Sequence, residues 1–100
     1  MEQLAKYRAE LNTIDDQIIA LLGQRYVICR NVARHKKEQR IPVMQHGRVN
    51  EVKDRCANLA ITHNINPDFV RELYGLIIDE ACRIEDAIIN NPGTDSGSGS

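Results

Sequence analysis

Apolar residues recur along the first third of the chain at steps of three and four: Leu4, Tyr7, Leu11, Ile14, Ile18, Leu21, Ile28 and Val32. Side chains three and four positions apart share one face of a helix. The run predicts a single amphipathic helix from about residue 3 to about 38, with Arg25 standing where an apolar residue belongs. Gly23 lies inside it, and an isolated glycine costs about 1 kcal/mol without breaking a helix. At about 1.5 Å per residue such a helix is roughly 50 Å long. A compact monomer of this size has a radius of gyration of only about 13 Å. The rest of the chain cannot cover that rod, so the pattern predicts a homodimer in which two long helices lie alongside each other.

Pro42 ends the first segment, and RIPVMQHG reads as a loop. A second helix is predicted from about 48 to 62, with Val49, Val52, Cys56 and Leu59 on one side. HNINPDF is a stop and a restart: Asn66 caps, Pro67 takes the first helical position and Asp68 complements the helix dipole. The third helix is predicted over about 67 to 89, with Val70, Leu73, Ile77, Ala81, Ile84 and Ile88 facing inward. Residues 1–91 then form one helical domain, and residues 92–100 read as a flexible, appended tail. Three helices with almost no β signal make an all-α protomer of a helical bundle.

Composition narrows the function classes. The chain has 100 residues, 13 Lys and Arg against 14 Asp and Glu, and a formal charge of -1. That balance argues against nucleic acid and anionic membranes as partners. Arg25, Arg30, Arg34, Lys36, Lys37 and Arg40 cluster in sequence but spread around the helix instead of forming one binding stripe. The three cysteines, Cys29, Cys56 and Cys82, are odd in number and include no C-x-x-C pair, which points to reduced thiols rather than disulfides or a zinc site. With no signal-like start and no apolar run of membrane-spanning length, the expectation is a soluble cytoplasmic protein.

Arg25 and Lys36 are eleven residues apart, about 20° of helical rotation, so they share a face with Cys29 and Val32 between them. Two cations on an inner face can snorkel or pair with acids on a neighbouring helix. Arg8 changes the weighing: it lies seventeen residues before Arg25, about 25 Å away along the axis and turned by about 100°. One helix cannot aim both at one point, but in an antiparallel dimer Arg8 of one chain can approach Arg25 and Lys36 of the other, with Arg48 completing the pocket. Buried cations are costly unless anions neutralise them, and Glu85 is the one inward-facing acid the pattern offers. The deficit points to a small dicarboxylate held by bidentate arginine contacts.

No Ser-His-Asp or Cys-His set, phosphate loop or metal-ligand spacing is present in the sequence, and His35, His46 and His63 read as solvated. An enzyme with this inventory works without cofactor or metal, by electrostatics and confinement. A non-enzymatic helical dimerisation module also fits the apolar stripe, but it leaves Arg25 and Lys36 unexplained. Replacing both by Leu should stabilise such a module and abolish turnover in an enzyme.

YRAELNTIDDQIIALLGQR, then Lys36, IPV, Arg48 and LYGLIIDEACRIED together resemble the all-helical chorismate mutases over about residues 4 to 89. The same superfamily holds isochorismate-pyruvate lyases and 4-amino-4-deoxychorismate mutases. The resemblance implies an intertwined three-helix homodimer that rearranges chorismate to prephenate with no covalent intermediate. It implies that Arg8, from the partner chain, binds one substrate carboxylate and Arg25 the other. Arg48 would support the ring, and Lys36 would donate to the ether oxygen as the C–O bond breaks. Glu85 stands where many members have a Gln that donates to that oxygen; a carboxylate donates only when protonated. Glu85 is therefore expected either to be held neutral by burial or to make activity rise toward acidic pH. Val49 replaces a Glu beside the C4 hydroxyl, Gln45 a nearby Asp and Ala81 a Ser. Those exchanges leave the lyase and the aminochorismate mutase open as alternatives on the same scaffold.

Overall fold

The computed structural model describes residues 2–90; the predicted tail over 92–100 lies outside the described residues. The chain forms three helices, α1 (Glu2–Gln39), α2 (His46–Thr62) and α3 (Pro67–Ile89), and no strand among the described residues. The predicted all-α protomer is the observed one.

The helix ends follow from local chemistry. At the end of α1 the Ile41 N–H donates to the Lys36 carbonyl at 2.9 Å and the Arg40 N–H to Lys37 at 3.4 Å, with Arg40 at φ 57°. That is a Schellman closure, which needs a left-handed residue just past the helix. α2 ends the same way, through Ile65 to Ala60 at 2.9 Å and Asn64 to Ile61 at 3.2 Å, with Asn64 at φ 58°. Asn66 then caps α3, its Oδ1 accepting from the Asp68 N–H at 2.9 Å, and Pro67 opens the helix. α2 starts two residues before its predicted boundary, because the Gln45 carbonyl already accepts from Arg48 and Val49 at 3.0 and 3.1 Å.

α3 lies between the other two helices and packs on both. Its core with α2 is built from Val52, Cys56, Ala60, Val70 and Ile78, with Val49, Tyr74 and Cys82 against it. Leu73, predicted to face inward, is 37% exposed, and Leu59, predicted to share a side with Val52 and Cys56, is 50% exposed. Val52, Cys56, Ala57 and Ala60 are the buried set of α2, and Val70, Ile77, Ile78, Ala81 and Glu85 are that of α3. On α1 the buried residue is Ala33, and Tyr26 ties the helix to α3 by donating from its hydroxyl to the Ile77 carbonyl at 3.1 Å.

The N-terminal half of α1 projects beyond this packing. Every residue from Glu2 to Leu21 is exposed except that Leu22 begins the half-buried part, and the stripe Leu4, Tyr7, Leu11, Ile14, Ile18 lies open. The radius of gyration is 17.4 Å and the long axis 54 Å, well beyond the value of about 13 Å for a compact chain of this length. No described helix is long and apolar enough to cross a membrane.

Candidate active site

The second half of α1, the α1–α2 loop, the first turns of α2 and the middle of α3 enclose a cavity of about 520 Å³. That is the size of a small-molecule site. Arg25, Cys29, Val32 and Lys36 face it from α1, because steps of four, three and four keep them on one side of the helix. Ile78, Ala81, Cys82 and Glu85 face it from α3 by the same spacing. Gln45 precedes α2 and makes no side-chain cap, and Arg48, Val49 and Val52 follow from the helix itself.

Seven of the eight residues singled out from the sequence (Arg25, Lys36, Gln45, Arg48, Val49, Ala81 and Glu85) therefore line one cavity. Arg8 does not. It is exposed near the free end of α1, about 25 Å along the axis from Arg25.

Lys36 and Glu85 form the polar centre. The Lys36 Nζ donates to Glu85 Oε1 at 2.8 Å and to the Val43 carbonyl at 2.7 Å. Glu85 is buried and the lysine side chain is mostly covered, so the pair is shielded from bulk water. Arg25 has no acidic partner among the described residues; its guanidinium lies over the Tyr74 ring, 5.8 Å from the centroid, and its Nη1 contacts Cys29 Sγ at 3.8 Å. Arg48 pairs with Glu51 at 2.6 Å on the exposed rim. The cavity thus carries Arg25, Lys36, Arg48 and Arg55 against one inward carboxylate, Glu85.

The neighbouring acidic protons respond to burial. Burial pushes the Cys29 thiol up, against the lowering effect of Arg25, and pushes Cys82 up with help from the Glu85 charge. The Tyr74 phenol is raised by burial first and by the adjoining Cys56 thiol second. These groups stay neutral at physiological pH, which makes them poor nucleophiles. Among the described residues no group of His, Cys, Asp and Glu is arranged to hold a metal ion.

Three contributors escaped the sequence reading. The Val43 carbonyl is a backbone group with no side-chain signature. Tyr74 belongs to an apolar stretch and reads as core. Arg55 sits one helical turn beyond Val52, and that spacing from Arg48 and Val52 was the signal that would have found it.

The chorismate mutase type II family profile matches residues 7–86. The chain is 38% identical over 88 residues to a protein of Streptomyces venezuelae named 4-amino-4-deoxychorismate mutase, covering 88% of this chain and 85% of that one. It is 35% identical over 92 residues to a protein of the same name from Streptomyces pristinaespiralis, covering 92% and 71%. A chorismate mutase of Methanocaldococcus jannaschii is 27% identical over 79 residues, covering 79% and 80%.

Proposed function

Because the chain belongs to the chorismate mutase type II family and is an isomerase of that type, we propose that it rearranges 4-amino-4-deoxychorismate in a site shared by two copies of itself. In this reaction the enolpyruvyl ether C–O bond breaks while a C–C bond forms at the other end of the same six-atom array. Nothing is added, lost, oxidised or reduced. The protein's task is to hold the chair-like conformer and to stabilise charge growing on the ether oxygen. A millionfold acceleration corresponds to about 8 kcal/mol of differential stabilisation.

The observation that carries the reading is the geometry of Lys36. An ammonium has three N–H donors; two are held by Glu85 and Val43 at 2.8 and 2.7 Å. The third is left for the ether oxygen, on a side chain already locked in place. Arg25, with no acid beside it among the described residues, keeps its charge for a substrate carboxylate. Arg48 supports the ring once it leaves Glu51.

The amino substrate is favoured by the names of the two Streptomyces relatives, which this chain matches at 38% and 35% identity. Val49 offers no acceptor to a C4 hydroxyl or to a C4 amine, so that position takes no side between them. Chorismate is the second reading, supported by the family itself and by the Methanocaldococcus relative. A dimer supplies Arg8 and covers the open stripe of α1, and three free thiols suit the reducing cytoplasm.

The test is proton NMR of purified protein with 4-amino-4-deoxychorismate, chorismate and isochorismate in separate tubes. The amino substrate is expected to rearrange with kcat/KM at least about tenfold above chorismate, about 1.4 kcal/mol of discrimination. Faster conversion of chorismate to prephenate overturns the substrate assignment, and salicylate with pyruvate from isochorismate moves the chain to the lyase reaction.

A further inference from the structure

We infer that Tyr74 is a positioning residue for Arg25, holding the guanidinium over its ring so that the arginine is fixed without being neutralised. The inference rests on the reading of Arg25 as a substrate-carboxylate ligand and adds the residue that makes it one.

An arginine that must bind an anion faces a conflict. A neighbouring carboxylate would fix it well but would also occupy its donors and cancel its charge, whereas an unrestrained side chain is disordered before substrate arrives. An aromatic ring resolves this. It attracts the cation through its quadrupole and takes up no N–H, so the donors remain for a planar carboxylate.

The site has that arrangement. Arg25 Cζ lies over Tyr74, 5.8 Å from the ring centroid. The other contact is the Cys29 thiol at 3.8 Å, a weak and uncharged acceptor. Glu85, the carboxylate that lines the cavity with Arg25, is engaged by Lys36. Tyr74 is itself well anchored, because it packs against the core made by Val52, Cys56, Ala60, Val70 and Ile78. Core order is thus passed to a cavity-lining side chain through a neutral contact. Tyr26, on the same helix as Arg25, spends its hydroxyl on the Ile77 carbonyl.

The ring, and not the hydroxyl, carries the effect, so Tyr74→Phe and Tyr74→Leu separate the two. Steady-state kinetics on the full chain with 4-amino-4-deoxychorismate and chorismate, whichever turns over faster, give the readout. Tyr74→Phe is expected to leave KM within about twofold. Tyr74→Leu is expected to raise KM by about five- to tenfold, the scale of a partly desolvated cation–π contact, with a smaller change in kcat. In an Arg25→Met background, Tyr74→Leu should lower kcat/KM by less than about twofold further, since the side chain it positions is gone.

Urea unfolding of every variant confirms folding, and Tyr74→Met replaces the leucine variant if that one is unfolded. An unchanged KM in Tyr74→Leu, an equal loss in Tyr74→Phe, or a full additional loss in the Arg25→Met background overturns the inference. Wild-type protein that converts neither substrate instead removes the functional reading, and the inference with it.

Discussion

At the scale of single residues, the proposed reaction turns on which hydrogen-bond donors Lys36 and Glu85 offer the substrate. As a carboxylate, Glu85 accepts from Lys36 and holds it in place. It can donate to the ether oxygen only after taking up a proton, whereas the amide of a glutamine donates at any pH. Glu85→Gln, which places an amide donor there at every pH, is therefore expected to raise turnover severalfold at about pH 7.5. Steady-state kinetics on both proteins checks this; a Glu85→Gln rate that falls would show that Glu85 matters only as the anchor of Lys36. Much of this inventory was legible in the chain, because Arg25 and Lys36 interrupt an apolar stripe and Glu85 shares the inward face of α3. The tether from Val43 and the ring beneath Arg25 were not. They depend on how α3 docks between α1 and α2, and helical spacing within one element carries no information about that docking.

At the scale of elements, capping chemistry decided the boundaries. Asn66-Pro67-Asp68 marked the start of α3 correctly because each residue satisfies a different demand of a helix N-terminus: acceptor, fixed φ and negative charge. The end of α1 is less well served. Arg40 occupies a left-handed position at φ 57°, where a side chain clashes with its own backbone at a cost of about 1–2 kcal/mol. Arg40→Gly should raise stability by about 0.5–1 kcal/mol, part of the relief being offset by the greater freedom of glycine in the unfolded chain. Urea denaturation measures the gain; a loss would mean that the Arg40 side chain contributes a contact worth more than the strain. The same closure explains why this turn matters for chemistry. It reverses the chain within a few residues of Lys36 and so brings the Val43 carbonyl back onto the Lys36 ammonium.

At the scale of the molecule, one copy of the chain is unfinished. Its core is thin, with no large side chain fully buried among the described residues, and the stripe from Leu4 to Leu21 on α1 is left in solvent. Exposed apolar area of that extent marks an interaction surface. Arg8, the one candidate site residue outside the cavity, lies on that same open half of α1. In the dimer we propose, a second copy lying antiparallel along α1 would cover the stripe and carry Arg8 to the cavity it does not reach from its own chain. The length of the first helix carries the expectation of a dimer, and the seventeen-residue separation of Arg8 from Arg25 carries the expectation that Arg8 serves the partner's site.

The most direct test is to mix two inactive variants, Arg8→Ala and Lys36→Ala, after brief denaturation and joint refolding. If each site takes Arg8 from one copy and Lys36 from the other, random pairing restores one site in each mixed dimer. The mixture should then recover about one quarter of wild-type activity. A mixture as inactive as its two parents would contradict a shared cationic site.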